Sequence, residues 1–168
     1  MGEAGPSDPM WATFRERHPE VNLVLLPEQT GPDVTRPHPA ASLADARTAA
    51  ATLTRRVRLI GELMGVPHDP VAGWSRLAGG SYAPTVRLHG SAQPDAPSDP
   101  QVIAHRLSQL GWSAQVRPEP ELVWIEGHAG DDFVRVTVVD GLVGVRARGG
   151  AVSLDEADAA ALLGGEGG

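Results

Sequence analysis

The chain has 168 residues, 41% of them apolar, and a formal charge of −7, which fits one soluble domain of ordinary size. It has no cysteine, so disulfides, thiolate chemistry and cysteine-based zinc sites are excluded. Its 14 basic side chains are all arginines, outweighed by 21 acids. That balance argues against nonspecific nucleic-acid binding, which depends on neutralising many phosphates.

The longest apolar runs, Leu23 to Leu26 and Ala159 to Leu163, fall far short of the roughly 20 residues needed to cross a bilayer. No membrane span is predicted. The first residues lack a basic region followed by an apolar stretch, and Pro6 stands where a myristoylation signal needs Ser or Thr. The expected location is therefore the cytoplasm.

Asp8 followed by Pro9 reads as an N-cap with proline at the first helical position, opening a short helix through Trp11 and Phe14 to about Arg17. Val21 to Leu26 follows as a strand whose nearly continuous apolar run predicts burial on both faces. Residues 27–42 hold Pro27, Pro32, Pro37 and Pro39 without apolar periodicity, and read as a long loop. Ser42 with Asp45 three residues on opens a long helix to Met64, stopped by Gly65 and Pro67.

Asp69 and Pro70 open a segment, Val71 to Leu77, that fits a helix or a strand, and Thr85 to Leu88 is a weak strand. Residues 90–100 form a second Pro-rich loop. Asp99 and Pro100 start a helix with Ile103, Leu107 and Leu110 on one face and Gly111 as its stop. Trp112 to Arg117, Glu121 to Glu126, Phe133 to Val139 and Leu142 to Arg148 are short strands separated by turn residues, an antiparallel meander. Ser153 and Glu156 form a capping box for a last Ala-rich helix, and residues 164–168 should be a frayed tail. Ser7-Asp8-Pro9 recurs as Ser98-Asp99-Pro100, but such helix starts are too generic to establish a duplication. The order of elements predicts a single α+β domain over residues 1–168, with a mainly antiparallel sheet of four to six strands and helices on one face.

Asp140 and Gly141 make a two-residue hairpin turn, which pairs Val139 with Leu142. Val134, Val136 and Val138 then share a core face with Val143, Val145 and Ala147, while Arg135, Arg146 and Arg148 share the other. Arg135 and Arg146 fall directly opposite, a repulsive pair unless something negative covers it. Gly144 leaves room for approach, so the three arginines can bind a carboxylate, a phosphate or an acidic protein surface; the competing explanation is a solvated face with arginines paired to nearby acids such as Glu121 or to the acidic last helix.

Along the long helix, Leu43, Ala46, Ala50, Leu53, Val57, Ile60 and Met64 alternate spacings of three and four, as in a coiled-coil seam. Leu53, Val57 and Ile60 are the candidate partner or homodimer contacts. Leu59 and Leu63 widen the stripe, however, which fits packing on a sheet better. Arg55, Arg56 and Arg58 lie off the stripe on a solvated side.

The six histidines are scattered with no chelating pair, so no metal and no cofactor is expected. Ser81 after Gly79 and Gly80 lacks both nucleophile-elbow and phosphate-loop patterns. His128 with Asp131 and Asp132 can in principle act as acid and base, though Gly, His and Asp are ordinary turn residues. The expectation is a non-catalytic protein-binding module of accessory, chaperone-like or immunity type, working through the apolar helix and the arginine face on a partner with an acidic surface. The alternatives are a small-anion sensor using the arginines, or a small enzyme using His128 and Asp131. A concave pocket gathering two or more of the six histidines, or three of the named arginines, would favour the alternatives.

Overall fold

The structure, a computed structural model, describes residues 38–118 and 123–164. The predicted helix from Asp8, the strand from Val21 and most of the 27–42 loop lie outside the described residues, as do residues 165–168.

Helix α1, Leu43–Leu63, starts where the sequence places it because Ser42 and Asp45 form a reciprocal cap. The Asp45 amide donates to the Ser42 hydroxyl at 3.2 Å and the Ser42 amide donates to the Asp45 carboxylate at 3.3 Å, satisfying two otherwise orphaned donors. Hydrogen bonds from Ser42 hold the Asp45 carboxyl below its ordinary range. A second carboxylate, Asp158, accepts the Leu43 amide at 2.9 Å, adding negative charge at the positive end of the helix dipole. Ser42→Ala should therefore destabilise the fold by about 1 kcal/mol, read as a lower urea midpoint at unchanged slope.

After α1, the chain forms β1 (Val71–Arg76), a single 3-10 turn (Ala78–Gly80), β2 (Tyr82–Ser91), α2 (Pro100–Gln109), β3 (Ser113–Pro118), β4 (Val123–Ala129), β5 (Asp132–Val139), β6 (Leu142–Arg148) and α3 (Glu156–Gly164). The ambiguous segment after Asp69 is thus a strand, and the weak strand at Thr85 is the longest of the six. Its length shortens the 90–100 loop at its start. The six strands form one sheet in the order β1-β2-β6-β5-β4-β3, with every pairing antiparallel. The predicted α+β class with an antiparallel sheet and helices packed against it is the architecture found.

One face of the sheet is apolar, carrying Val86, Leu88, Ile125, Val134, Val136, Val143, Val145 and Ala147, all buried. Helix α1 lies across β2 and β6, and α2 across β3 and β4. Leu53, Val57, Ile60 and Met64 from α1, with Ile103 and Leu107 from α2, complete one core. Gly61 lets α1 approach β2 closely, since a Cβ there would stand 2.6 Å from Leu88 Cδ2. Trp112, at the junction of α2 and β3, is buried, and its amide donates to the Leu107 carbonyl beyond Gly111, whose φ is +89°.

Three expectations need correction. Leu53, Val57 and Ile60 are fully buried within their own domain, so the stripe faces the sheet and offers nothing to a partner helix. Leu59, expected to widen the stripe, is 42% exposed. The last helix is not started by Ser153, whose amide and carbonyl instead pair with Pro39 and Ala41; its cap is Asp155, whose carboxylate accepts the Asp158 amide at 2.7 Å.

Candidate functional site

The Asp140-Gly141 turn has φ values of 49° and 77°, the left-handed pair that a tight hairpin requires. It sets Val139 opposite Leu142 and Arg135 opposite Arg146, as expected. Directly opposed residues share a face, so the register across the whole sheet maps its outer surface, the one no described helix covers. One row runs Val71, Arg87, Arg146, Arg135, Glu126 and Gln115 from β1 to β3. The row on one side holds His89, Gly144, Thr137, Trp124 and Arg117; the row on the other holds Gly73, Thr85, Arg148, Phe133, His128 and Ser113.

Among the described residues, five arginines, Arg87, Arg117, Arg135, Arg146 and Arg148, thus occupy outward strand positions with one carboxylate, Glu126. In a chain whose total charge is −7, this face is positive. Three arginines, Arg87, Arg146 and Arg135, are consecutive in one row, on strands about 4.8 Å apart.

Glu126 is fully committed. It accepts from Arg135 Nη2 at 2.7 Å, Trp124 Nε1 at 3.1 Å and Arg117 Nε at 3.3 Å, and the Arg135 guanidinium lies 4.8 Å over the Trp124 ring. The hydrogen bond from Arg135, reinforced by those from Trp124 and Arg117, holds the Glu126 carboxyl below its ordinary value of 4.5. A lowered folded-state pKa contributes stability that is present above the ordinary value and lost as pH falls through the lowered one. Glu126→Gln should therefore cost about 1 kcal/mol at neutral pH, a modest figure because the arginines are half-exposed. The difference from the parent should shrink below about pH 4, as seen in denaturation midpoints across pH.

Arg87, Arg146 and Arg148 are exposed and have no ion pair among the described residues. Gly144, between His89 and Thr137, would meet nothing with an added Cβ, so the backbone there is open to approach. The site is a shallow cationic surface with Phe133, Trp124 and Leu142 among its outward residues. It can bind carboxylates or phosphates through guanidinium forks.

Other candidates are dispersed. Arg56 is ion-paired with Asp132 and lies 5.7 Å from the Trp112 ring, and Arg58 pairs with Asp69 at 3.1 Å. These helix arginines are on the opposite side of the sheet. The His128 ring packs on Phe133 with centroids 5.2 Å apart, while Asp131 lies in the next turn and approaches Gly150. No hydrogen bond joins His128 to Asp131 among the described residues, and none of them form a cluster of metal-binding side chains.

A cleft of about 490 Å³ opens where β1 begins, lined by His68, Asp69, Val71, Arg87, Leu88, His89, Gly90, Ser91, Leu142 and Val143. It gathers two histidines and abuts the row of arginines. Arg87, His68 and His89 were not singled out from sequence, because the pairing of β2 with β6 joins segments far apart in the chain and leaves no local signal. Comparison with protein-family models, with curated proteins and with solved structures returned no match.

Proposed function

We propose that this domain is a non-catalytic protein-binding module that takes an acidic partner surface on the outer face of its sheet. The observation that carries the reading is the row Arg87, Arg146, Arg135 with Arg148 beside it, in which, among the described residues, only Arg135 has a carboxylate partner. Adjacent like charges on a sheet are destabilising, and an acidic partner converts that repulsion into charge-assisted hydrogen bonds. The buried helix stripe plays no part in this reading.

The first test is equilibrium binding of polyglutamate, of polylysine and of a single-stranded oligonucleotide at several salt concentrations. Polyglutamate should bind with an affinity that falls as salt rises, and polylysine should not bind to this face. Tighter binding of the oligonucleotide than of polyglutamate would replace the protein partner with a nucleic acid, the class that the total charge disfavours. A second reading, a small-anion sensor, draws on the cleft, where His68 and His89 stand near Arg87. A thermal-shift screen of mono- and dicarboxylates tests it, and stabilisation lost in Arg87→Gln would favour it.

A further inference from the structure

We propose that the cleft beside β2 holds one tryptophan side chain of the acidic partner, while carboxylates next to that residue are held by Arg146 and Arg148. The proposal rests on the acidic-partner reading of the outer face and names the residue that anchors the partner there.

The chain closes its own strand edge at this place. Residues 65–70 run beside β2 in the continued register of β1, with Gly65 against Gln93 and with Val66 and His68 against Gly90. Recognition at the cleft therefore falls to side chains rather than to a backbone ladder.

Those side chains are apolar to a degree the rest of the outer face is not. Val71 and Leu142 are 68% and 59% exposed, the two most exposed large apolar residues among those described, and both line the cleft. They come from different strands. The register puts Val71 opposite Arg87 on one side of β2 and Leu142 opposite Ser91 on the other. Val139 is also exposed and pairs with Leu142, extending the patch along the hairpin. Single exposed apolar residues are ordinary, but here the two most exposed ones border one concavity of about 490 Å³, the size of a pocket that takes a bulky group.

Charge and span narrow the occupant. Among the lining residues Arg87 carries a positive charge and Asp69 a negative one, and Asp69 already pairs with Arg58 at 3.1 Å. One guanidinium beside one carboxylate gives an anion little net attraction, so the cleft suits an uncharged group. Val71 and Leu142 are separated by two strand spacings across the sheet and four residues along β2, about 16 Å, with His89 midway. Bridging that distance requires a long, flat apolar group. An indole lying over His89 reaches toward both ends and offers its face to the Arg87 guanidinium, and tryptophan is the side chain most often found as such an anchor. Directly opposite Arg87 stands Arg146, with Arg148 two residues further along β6. Carboxylates beside the tryptophan meet these arginines, which have no ion pair among the described residues.

The test measures binding of blocked synthetic peptides to the full chain by calorimetry. One peptide has a tryptophan between pairs of glutamates, the second has alanine in place of tryptophan, and the third keeps the tryptophan between pairs of glutamines. The tryptophan-glutamate peptide should bind about tenfold tighter than the alanine-glutamate peptide. Val71→Thr combined with Leu142→Thr should bring those two peptides within about twofold of each other; both sites are exposed and threonine suits a strand, so the fold is kept. Binding of the tryptophan peptide should also shift the methyl resonances of Val71 and Leu142 through the ring current of the indole.

Equal affinity of the tryptophan and alanine peptides, with polyglutamate binding still dependent on Arg146, overturns the tryptophan anchor and leaves the acidic-face reading standing. A tryptophan preference that survives the double substitution also overturns it, because the ring then lies elsewhere. If the glutamine peptide binds as tightly as the glutamate peptide, or if neither a glutamate peptide nor polyglutamate binds, the acidic-face reading falls and the proposal falls with it.

Discussion

Leu53→Ala should lower stability by about 3 kcal/mol, whereas Leu59→Ala, six residues on in the same helix, should cost about 0.5 kcal/mol or less. Both remove the same atoms, and both sit in a helix with the same cap. They differ in burial: Leu53 is fully enclosed by the sheet, and Leu59 is 42% exposed. Loss of a buried leucine combines lost transfer free energy with the cavity left behind. Chemical denaturation of the two variants reads the difference directly. The midpoint of each should be independent of protein concentration, because the stripe is satisfied within one chain. A concentration-dependent midpoint that vanishes in Leu53→Ala would instead place a dimer seam on α1.

That contrast also shows where sequence periodicity is decisive and where it is not. Spacings of three and four along α1 identify Leu53, Val57 and Ile60 as one apolar stripe, but the same spacing serves a coiled coil and a helix on a sheet. The choice depends on whether an apolar sheet face exists to receive it, which is a property of the meander further along the chain. Local chemistry was legible: the Ser42-Asp45 cap, the Asp99-Pro100 start, the Gly111 stop and the Asp140-Gly141 turn all occur as read. The Ser153 start failed because a backbone bridge to Ala40, invisible to local pattern, takes up that residue.

The site follows the same division. Arg135 opposite Arg146 follows from counting back from a two-residue turn. Glu126 opposite Arg135 follows equally from the turn between Ala129 and Asp132, but only if β4 is carried through Glu126-Gly127-His128 rather than ended at Glu126. Gly127 obscures that continuation, because glycine disfavours a strand. The structure explains it: a Cβ there would stand 3.0 Å from Val134 Cγ1 and 3.2 Å from Trp112 Cβ. Arg87 could not be placed by any such count, since β2 joins β6 across α2 and the whole meander.

Arg146→Gln should move stability and binding in opposite directions. In the row across the sheet, Arg146 stands between Arg87 and Arg135, and Glu126 is already shared by Arg117, Arg135 and Trp124. Removing the central charge relieves two like-charge neighbours and leaves no described partner without its bond. The domain should gain about 0.5 kcal/mol in urea unfolding at low salt, a gain that fades as salt screens the row. Binding of polyglutamate should fall about tenfold, because a charge-assisted contact at the middle of the site is lost, and the salt dependence of binding should become shallower. Arg55→Gln, on the helix side of the sheet, should change neither quantity. A residue kept for folding alone would give the reverse, with stability lost and binding untouched, and that outcome would remove the arginine row from the binding surface. Stabilisation together with weaker binding is what a functional site built against local stability requires.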